Sequence, residues 1–370
     1  MSDSQIKMIV MPKWGLSMSE GKVVKWLAKE GAKISVGDEL LEVETEKIAS
    51  AVEATDSGTL RRIVGEVDTV YPVKQLLAVI ADDSVSDSEI DAFLASYVPP
   101  AVDEEGEAEK DAYEYIDLPI GTVRYAKYGD GGKTLLFIHG FGGDLDNWLF
   151  NVNTLAENHT VYAVDLPGHG RSVKSLTDAS LAGLSKFVLE FMDALSIDSA
   201  NLVGHSLGGA IAMKTAITAP KRVKTITLIG SAGLGNEINM GYIDGFIGSE
   251  SRREIKPFLE ELFFDRSLVG RQMIDDILKS KRLDNVTDVL RHLADTVFKG
   301  GHQAEKLGDA AAASGVPILA IHGTDDHIIP AAHTETLKGK ASVHVMGDAG
   351  HMVQMEKSKE TNKLISDHIH

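Results

Sequence analysis

The stretch ANLVGHSLGGAIAMKTAITA, residues 200–219, decides the larger part of the fold. ANLV reads as a buried strand and GAIAMKTAITA as a helix, so Gly204-His205-Ser206-Leu207-Gly208 is a sharp turn from one into the other. Such a turn needs small residues on either side of its apex, because the backbone there is crowded and strained, and it exposes the apical serine as a nucleophile. The pentapeptide alone is a weak signal; the strand before it and the helix after it give it weight.

Working outward, apolar strand-like runs alternate with helical stretches from about Tyr113 onward: TLLFIHG, TVYAVDL, ANLVGHS, KTITLIG, PILAIHG and ASVHVMG. That alternation predicts a mostly parallel sheet flanked by helices over residues 113–370. Between Gly235 and Gly300 it stops, and REIKPFLEELFF, GRQMIDDILKS and VTDVLRHLADTVF read as helices. A helical insertion of this kind predicts a lid at about 235–300, over the carboxyl ends of the strands where open α/β sheets place their sites. Phe263-Phe264 is a candidate for excluding water there, although such pairs are more often core.

A serine hydroxyl needs a base. His351, in Asp348-Ala349-Gly350-His351 after the last strand run, is the best placed; His139, His169 and His205 sit inside turn motifs and read as structural. The base needs a carboxylate to fix its tautomer. Asp326 follows PILAIHG and completes the chain order Ser206, Asp326, His351, with the adjacent Asp325 as the alternative that spacing leaves open. A developing oxyanion needs backbone N–H donors, which Leu207 and Phe141 of His139-Gly140-Phe141-Gly142-Gly143 are placed to supply. Asp165-Leu166-Pro167-Gly168-His169-Gly170-Arg171-Ser172 reads as turn chemistry near the site. Nothing has metal-ligand spacing of the H-E-x-x-H kind.

Residues 5–81 read differently, as short strands between glycine-containing turns: KMIVM, KVVKWLA, ELLEVE, SAVEA, TLRRIV and LLAVIA. EGAKISVGDELLEVE resembles VGEVDTVYPVKQLLAVI, with Gly31 matching Gly65 and Leu40-Leu41 matching Leu76-Leu77. The repeat predicts a small barrel or sandwich with an approximate two-fold axis. Glu46-Lys47 lies between the halves, at an expected exposed hairpin tip.

Residues 82–112 read as a flexible acidic linker. Eleven acidic residues stand against one lysine between Asp82 and Asp111, which holds more than half of the chain's net charge of −18. It contains one short amphipathic piece, Ile90, Phe93, Leu94 and Tyr97, ended by Pro99-Pro100. The negative charge argues against nucleic-acid or anionic-membrane partners. No cysteine is present, which excludes disulfides, cysteine zinc sites and a cysteine nucleophile. No apolar run is long enough to span a bilayer, and MSDSQIKMIV lacks the pattern of a secretory leader, so a cytoplasmic location is expected.

Two resemblances follow. MPKWGLSMSEGKVVKWLAKEGAKISVGDELLEVETEKI and the later SGTL resemble a lipoyl (biotinyl-lipoyl attachment) domain, a flattened β-barrel. In that family the lysine of Glu44-Thr45-Glu46-Lys47 carries the cofactor, and Glu46 and Ile48, where biotin carriers usually have methionines, point to lipoate on Lys47. Residues 113–370 resemble the α/β-hydrolase fold family. The domain order is similar to that of dihydrolipoyl acetyltransferase subunits of acetoin dehydrogenase complexes. That resemblance implies transfer of an acetyl group from S-acetyl-dihydrolipoyl-lysine to coenzyme A. It also implies thiamine-diphosphate-dependent acetoin-cleaving subunits, a dihydrolipoyl dehydrogenase and a lipoate ligase as partners. The chain departs from other dihydrolipoyl acyltransferases in lacking H-x-x-x-D-G and a basic subunit-binding segment. The alternative expectation is a carrier-fused serine hydrolase, a thioesterase or carboxylesterase releasing the acyl group to water.

Overall fold

The computed structural model describes residues 6–12, 20–45, 49–82, 84–97 and 113–369. They form two compact units, one N-terminal and one C-terminal. No helix among the described residues is long and apolar enough to cross a membrane.

The N-terminal unit contains β1 (Ile6–Val10), β2 (Glu20–Trp26), β3 (Lys33–Ile34), β4 (Glu39–Glu44), β5 (Ala49–Glu53), β6 (Gly58–Ile63), β7 (Val70–Pro72) and β8 (Leu76–Ala81). They make two four-stranded sheets, ordered β1-β8-β6-β3 and β5-β4-β2-β7. Exchanging β1 with β5, β2 with β6, β3 with β7 and β4 with β8 turns one order into the other, which is the two-fold relation expected from the repeat. Between the sheets lies a core of Met11, Val23, Leu40, Leu41, Val43, Leu60, Leu77 and Ile80.

The repeat aligns differently from the sequence reading. Leu27 and Ala28 both donate to the Leu40 carbonyl, and Val64 and Gly65 both donate to that of Leu77. Gly65 is therefore the mate of Ala28, and Leu40 that of Leu77. Gly31 instead matches Asp68: their N–H groups bond Leu60 O and Val23 O at 2.8 Å, and both have positive φ, 86° and 64°. Gly37 and Lys74 form a second such pair, with φ of 89° and 68°. What repeats is backbone conformation, and a single left-handed residue tolerates Asp, or at some cost Lys, in place of Gly. Matching glycine to glycine therefore misaligned the copies.

The first part of the expected linker is folded. Asp87–Ser96 is a helix, α1, begun by a capping box of Ser86 and Glu89. Val85 and Ile90 pack on Leu76, Val79 and Ala81 of β8, with Phe93, Leu94 and Tyr97 alongside. Arg61 pairs with Asp87 at 2.9 Å, and the Tyr97 hydroxyl donates to Lys74 O at 2.8 Å. The β4 mates of those three β8 residues are Glu39, Glu42 and Glu44, which suit water; only one sheet has an apolar outer face to cover. The rest of the predicted linker, residues 98–112, lies outside the described residues.

The C-terminal unit holds an eight-stranded sheet of β9 (Glu114–Leu118), β10 (Gly121–Tyr128), β11 (Thr134–Ile138), β12 (Thr160–Val164), β13 (Ala200–His205), β14 (Val223–Ile229), β15 (Ile318–Gly323) and β16 (Ser342–Met346). The order is β16-β15-β14-β13-β11-β12-β10-β9. β11 to β16 are parallel, while β10 is antiparallel to β9 and β12. β13 and β15 are buried along their whole length, as strands covered on both faces are. Strand order reverses around β11 and β13, so the loops after these two strands open onto one crevice.

The helices are α2 (Val152–Ala156), α3 (Leu181–Ala194), α4 (Leu207–Thr218), α5 (Met240–Gly248), α6 (Arg252–Glu260), α7 (Arg271–Lys281), α8 (Val286–Val297), α9 (Gly308–Ala313), α10 (Val353–Glu356) and α11 (Ser358–His368). α5 to α8 are inserted between β14 and β15. α5 was not expected because three of its nine residues are glycines. Tertiary packing overrides that propensity: a Cβ on Gly245 would sit 2.2 Å from the Phe258 ring of α6.

Candidate active site

Ser206 joins β13 to α4 with φ 53° and ψ −117°, a conformation costing roughly 1–3 kcal/mol. Surrounding bonds hold it: its N–H donates to Ile229 O at 2.9 Å, and its carbonyl accepts from Ala232 N at 3.0 Å. The flanking glycines are required sterically. A Cβ on Gly204 would lie 2.3 Å from Gly208 O, and one on Gly208 would lie 2.1 Å from Ile138 O.

His351 and Asp326 meet beside this turn. His351 Nδ1 is 2.7 Å from Asp326 Oδ2. Asp326 Oδ1 accepts from Ile328 N and Ile329 N at 2.8 and 2.9 Å. Gly230, directly after Ile229, separates the couple from the Ser206 backbone; a Cβ there would be 3.2 Å from His351 Nδ1 and 3.4 Å from Asp326 Oδ2. Burial pushes the Asp326 carboxyl up, but the charge of His351 and the bonds from His322 and His351 outweigh it and hold the group well below the usual carboxylate range. Asp325 has another partner: its carboxylate accepts from the Thr324 hydroxyl at 2.6 Å. Of the two acids left open by spacing, Asp326 is the one joined to His351.

The expected oxyanion donors flank the same turn. Leu207 is the first residue of α4, so its N–H has no acceptor within the helix, and the Ser206 side chain does not cap it. Phe141 lies in the loop after β11, where Gly140 packs against His205 and Ser206. Its ring stands edge-on to Phe246 of α5 at 6.3 Å, to Phe298 at 6.0 Å and to His169 at 6.4 Å. These aromatics surround the loop, rather than Phe263 and Phe264: Phe263 is buried core and Phe264 is 47% exposed. The insertion does meet the site through its main chain, since His351 N donates to Leu262 O at 2.8 Å.

The remaining histidines divide as expected, with one addition. His139 Nε2 accepts from Leu166 N at 2.9 Å, and burial lowers its pKa to about 4. His169 is lowered to about 3 by burial and by His139. His205 donates from Nε2 to His351 O at 3.0 Å and is held neutral by burial and by its neighbour His351. Asp165 has a structural part: Arg124, Leu145 N and Arg171 N all donate to it. The sequence reading passed over His322, whose Nε2 is 3.0 Å from Asp326 Oδ2. It looked like one more strand residue, and only its spacing of four before Asp326 could have marked it.

In the N-terminal unit, Glu44 pairs with Ala49 across antiparallel β4 and β5. Lys47, the expected attachment residue, falls between these two strands in the chain and lies outside the described residues. Among the described residues, no group of three or more His, Asp or Glu side chains is placed to hold a metal ion.

A sequence profile of the alpha/beta hydrolase fold matches residues 133–358, and one of the biotin-requiring enzymes matches residues 7–80. The dihydrolipoyllysine-residue acetyltransferase component of the acetoin cleaving system of Cupriavidus necator is 51% identical to this chain, covering 98% of it and 96% of the relative. The chain belongs to this family of acetyltransferase components. The Pseudomonas putida member is 46% identical, over 97% of both chains. Among solved structures, the meta-cleavage product hydrolase of Pseudomonas fluorescens shares the fold, with a TM-score of 0.63 at 24% identity over 69% of this chain and 96% of its own.

Proposed function

We propose that this acetyltransferase component moves an acetyl group from a dihydrolipoyl thioester, carried on Lys47, to the thiol of coenzyme A through an acyl-Ser206 intermediate. The observation that carries this reading is the strained Ser206 turn beside a bonded His351–Asp326 couple, in one chain with a lipoyl-type unit. The lipoyl group, when attached, brings the acyl group as a thioester on a long arm. Lys47 falls in the chain between the paired strands β4 and β5, and this reading has the ligase modify it there.

The chain's own residues do the rest. Ser206 Oγ attacks the thioester carbonyl while His351 Nε2 takes its proton. The oxyanion forms against the N–H groups of Leu207 and Phe141. The tetrahedral intermediate collapses, the C–S bond breaks, and His351 returns the proton to the departing sulfur. The second half runs in reverse: His351 takes the proton of the acceptor thiol, the thiolate attacks acyl-Ser206, and Ser206 Oγ recovers the proton. Asp326 stays ionised throughout and stabilises the His351 imidazolium. Water must be kept from the acyl-serine. The helical insertion, with Phe246 and Phe298 against the Phe141 loop, is the lid this reading assigns to that task. Residues between Tyr97 and Tyr113 are the tether it requires.

The family's membership in an acetoin cleaving system supports partner subunits. The reading makes these a thiamine-diphosphate-dependent acetoin-cleaving enzyme that loads the arm and a dihydrolipoyl dehydrogenase that reoxidises it, with a lipoate ligase for attachment. The reading places this cycle in the cytoplasm, where the partner enzymes, rather than an oxidising compartment, set whether the arm is disulfide or dithiol.

The test supplies S-acetyl-dihydrolipoamide and coenzyme A to the purified full chain. Acetyl-coenzyme A is expected, with Ser206→Ala inactive. Free acetate released at a rate indifferent to coenzyme A would replace transfer by hydrolysis. Intact mass should show one lipoyl group, absent in Lys47→Arg; its persistence there would defeat the attachment site.

A further inference from the structure

We propose that His322 is a fourth member of the Ser206–His351–Asp326 group, a positioning residue that fixes the Asp326 carboxylate and tempers its basicity toward His351; this rests on the reading of that group as catalytic. The carboxylate is held on four points. Ile328 N and Ile329 N occupy Oδ1, while Oδ2 is shared by His351 Nδ1 at 2.7 Å and His322 Nε2 at 3.0 Å. His322 comes from β15 and is 1% exposed.

The tautomer of His322 follows from its neighbours. Nε2 also lies 2.9 Å from Ile329 O. A carboxylate oxygen and a carbonyl oxygen are both acceptors without a proton, so the hydrogen must be on His322 Nε2. That one hydrogen bonds Ile329 O and sets its positive end beside Asp326 Oδ2, 3.0 Å from the nitrogen, so the ring cannot accept from the anion. The titratable groups against Asp326 are His322 and His351; the His205 ring lies against that of His351, tilted by 55° with centroids 4.7 Å apart.

This donor does two things. The Ile328 and Ile329 amides fix only Oδ1, and His322 gives Oδ2 a second anchor, so the carboxylate plane is set independently of the His351 ring that turns over in each cycle. It also spreads the anion's charge. Without it, the carboxylate would bind the His351 proton more strongly, and the base would be harder to free at low pH. A merely structural His322, closing the turn from β15 to Ile329, would affect stability but not that proton.

The experiment compares full-length, lipoylated His322→Phe and His322→Gln in acetyl transfer to coenzyme A across pH. Phe fills the ring's volume without a donor, whereas Gln keeps an N–H. Phe should lose roughly ten- to a hundredfold in kcat with KM unchanged. The acidic limb of its kcat/KM profile should move up by about half a unit or more. Gln should restore most of both. A folded Phe variant with the parent's kcat and limb overturns the proposal. So does a loss of activity that leaves the limb in place and is not rescued by Gln.

Should Phe fail to fold, the parent chain carries its own test. In nitrogen-15 histidine spectra, assigned by the signals lost in His322→Gln, His322 must be protonated at Nε2. An Nδ1–H tautomer there refutes the inference. Ser206→Ala and His351→Ala run alongside; full activity in those would defeat the catalytic reading itself, a different failure from this one.

Discussion

Asp326→Asn removes one charge while keeping the side chain's volume, and the surroundings dictate how the amide must sit. Ile328 N and Ile329 N point at Oδ1 and demand an acceptor there. The new carbonyl takes that side, so the NH2 takes the place of Oδ2, between His322 Nε2 at 3.0 Å and His351 Nδ1 at 2.7 Å. Facing His322 it sets donor against donor. Facing His351 it calls for a bare Nδ1, which moves the imidazole proton to Nε2, the nitrogen that has to accept from Ser206. The lost attraction has a ceiling: at 2.7 Å and an effective dielectric constant of about 20, carboxylate and imidazolium attract by about 6 kcal/mol. That bounds the effect at roughly four powers of ten in rate. The expected outcome is a kcat for acetyl transfer reduced roughly a thousand- to ten-thousandfold, with KM nearly unchanged. Asp325→Asn, whose carboxylate bonds Thr324, should stay within about twofold, as surface polar changes do. The assay is steady-state formation of acetyl-coenzyme A by lipoylated protein. A tenth of the parent rate surviving in Asp326→Asn, or the large loss appearing in Asp325→Asn, would refute the reasoning.

Three further outcomes are expected. Ile90→Ala empties a fully buried site between α1 and β8, and should cost the N-terminal unit about 2–4 kcal/mol in urea unfolding; no change would mean that α1 is not part of that unit. Lys74→Gly relieves a left-handed lysine at φ 68° and should be neutral to about 1 kcal/mol stabilising, whereas Gly37→Ala at φ 89° should cost about 1 kcal/mol, and the same unfolding series checks both. Histidines in the unfolded chain titrate near 6.5, but burial holds folded His139 at about 4 and His169 at about 3, so stability is complete above pH 6.5 and falls as pH drops toward those values. Each contributes up to about 1.4 kcal/mol per pH unit, so the thermal midpoint of the C-terminal unit should fall between pH 7 and pH 5; a flat midpoint would contradict the burial argument.

Local chemistry made much of this molecule readable without coordinates. The turn at Gly204–Gly208 is legible because a strand, a steric demand for small residues and a helix follow one another within twenty positions. The long strand runs are legible because burial on two faces demands continuous apolar sequence. The edge hairpin β9–β10 was missed for the converse reason: its outer strand alternates weakly and needs no such run. α1 was seen as a pattern but read as linker, since the apolar strip of β8 that it covers is visible only once β8 is paired.

The sequence alone determined the two-part organisation, the carrier lysine as a candidate, and the serine and histidine of the site, because each rests on residue type at short range. Only tertiary structure decided between Asp325 and Asp326. Adjacent residues send their side chains in different directions, and the one that meets His351 depends on where β15 and the loop after β16 come together. It also brought in His322, whose role comes from sharing one carboxylate oxygen with a residue 29 positions away in the chain. Contacts of that kind arise from the order of strands in the sheet, which no single stretch of sequence records.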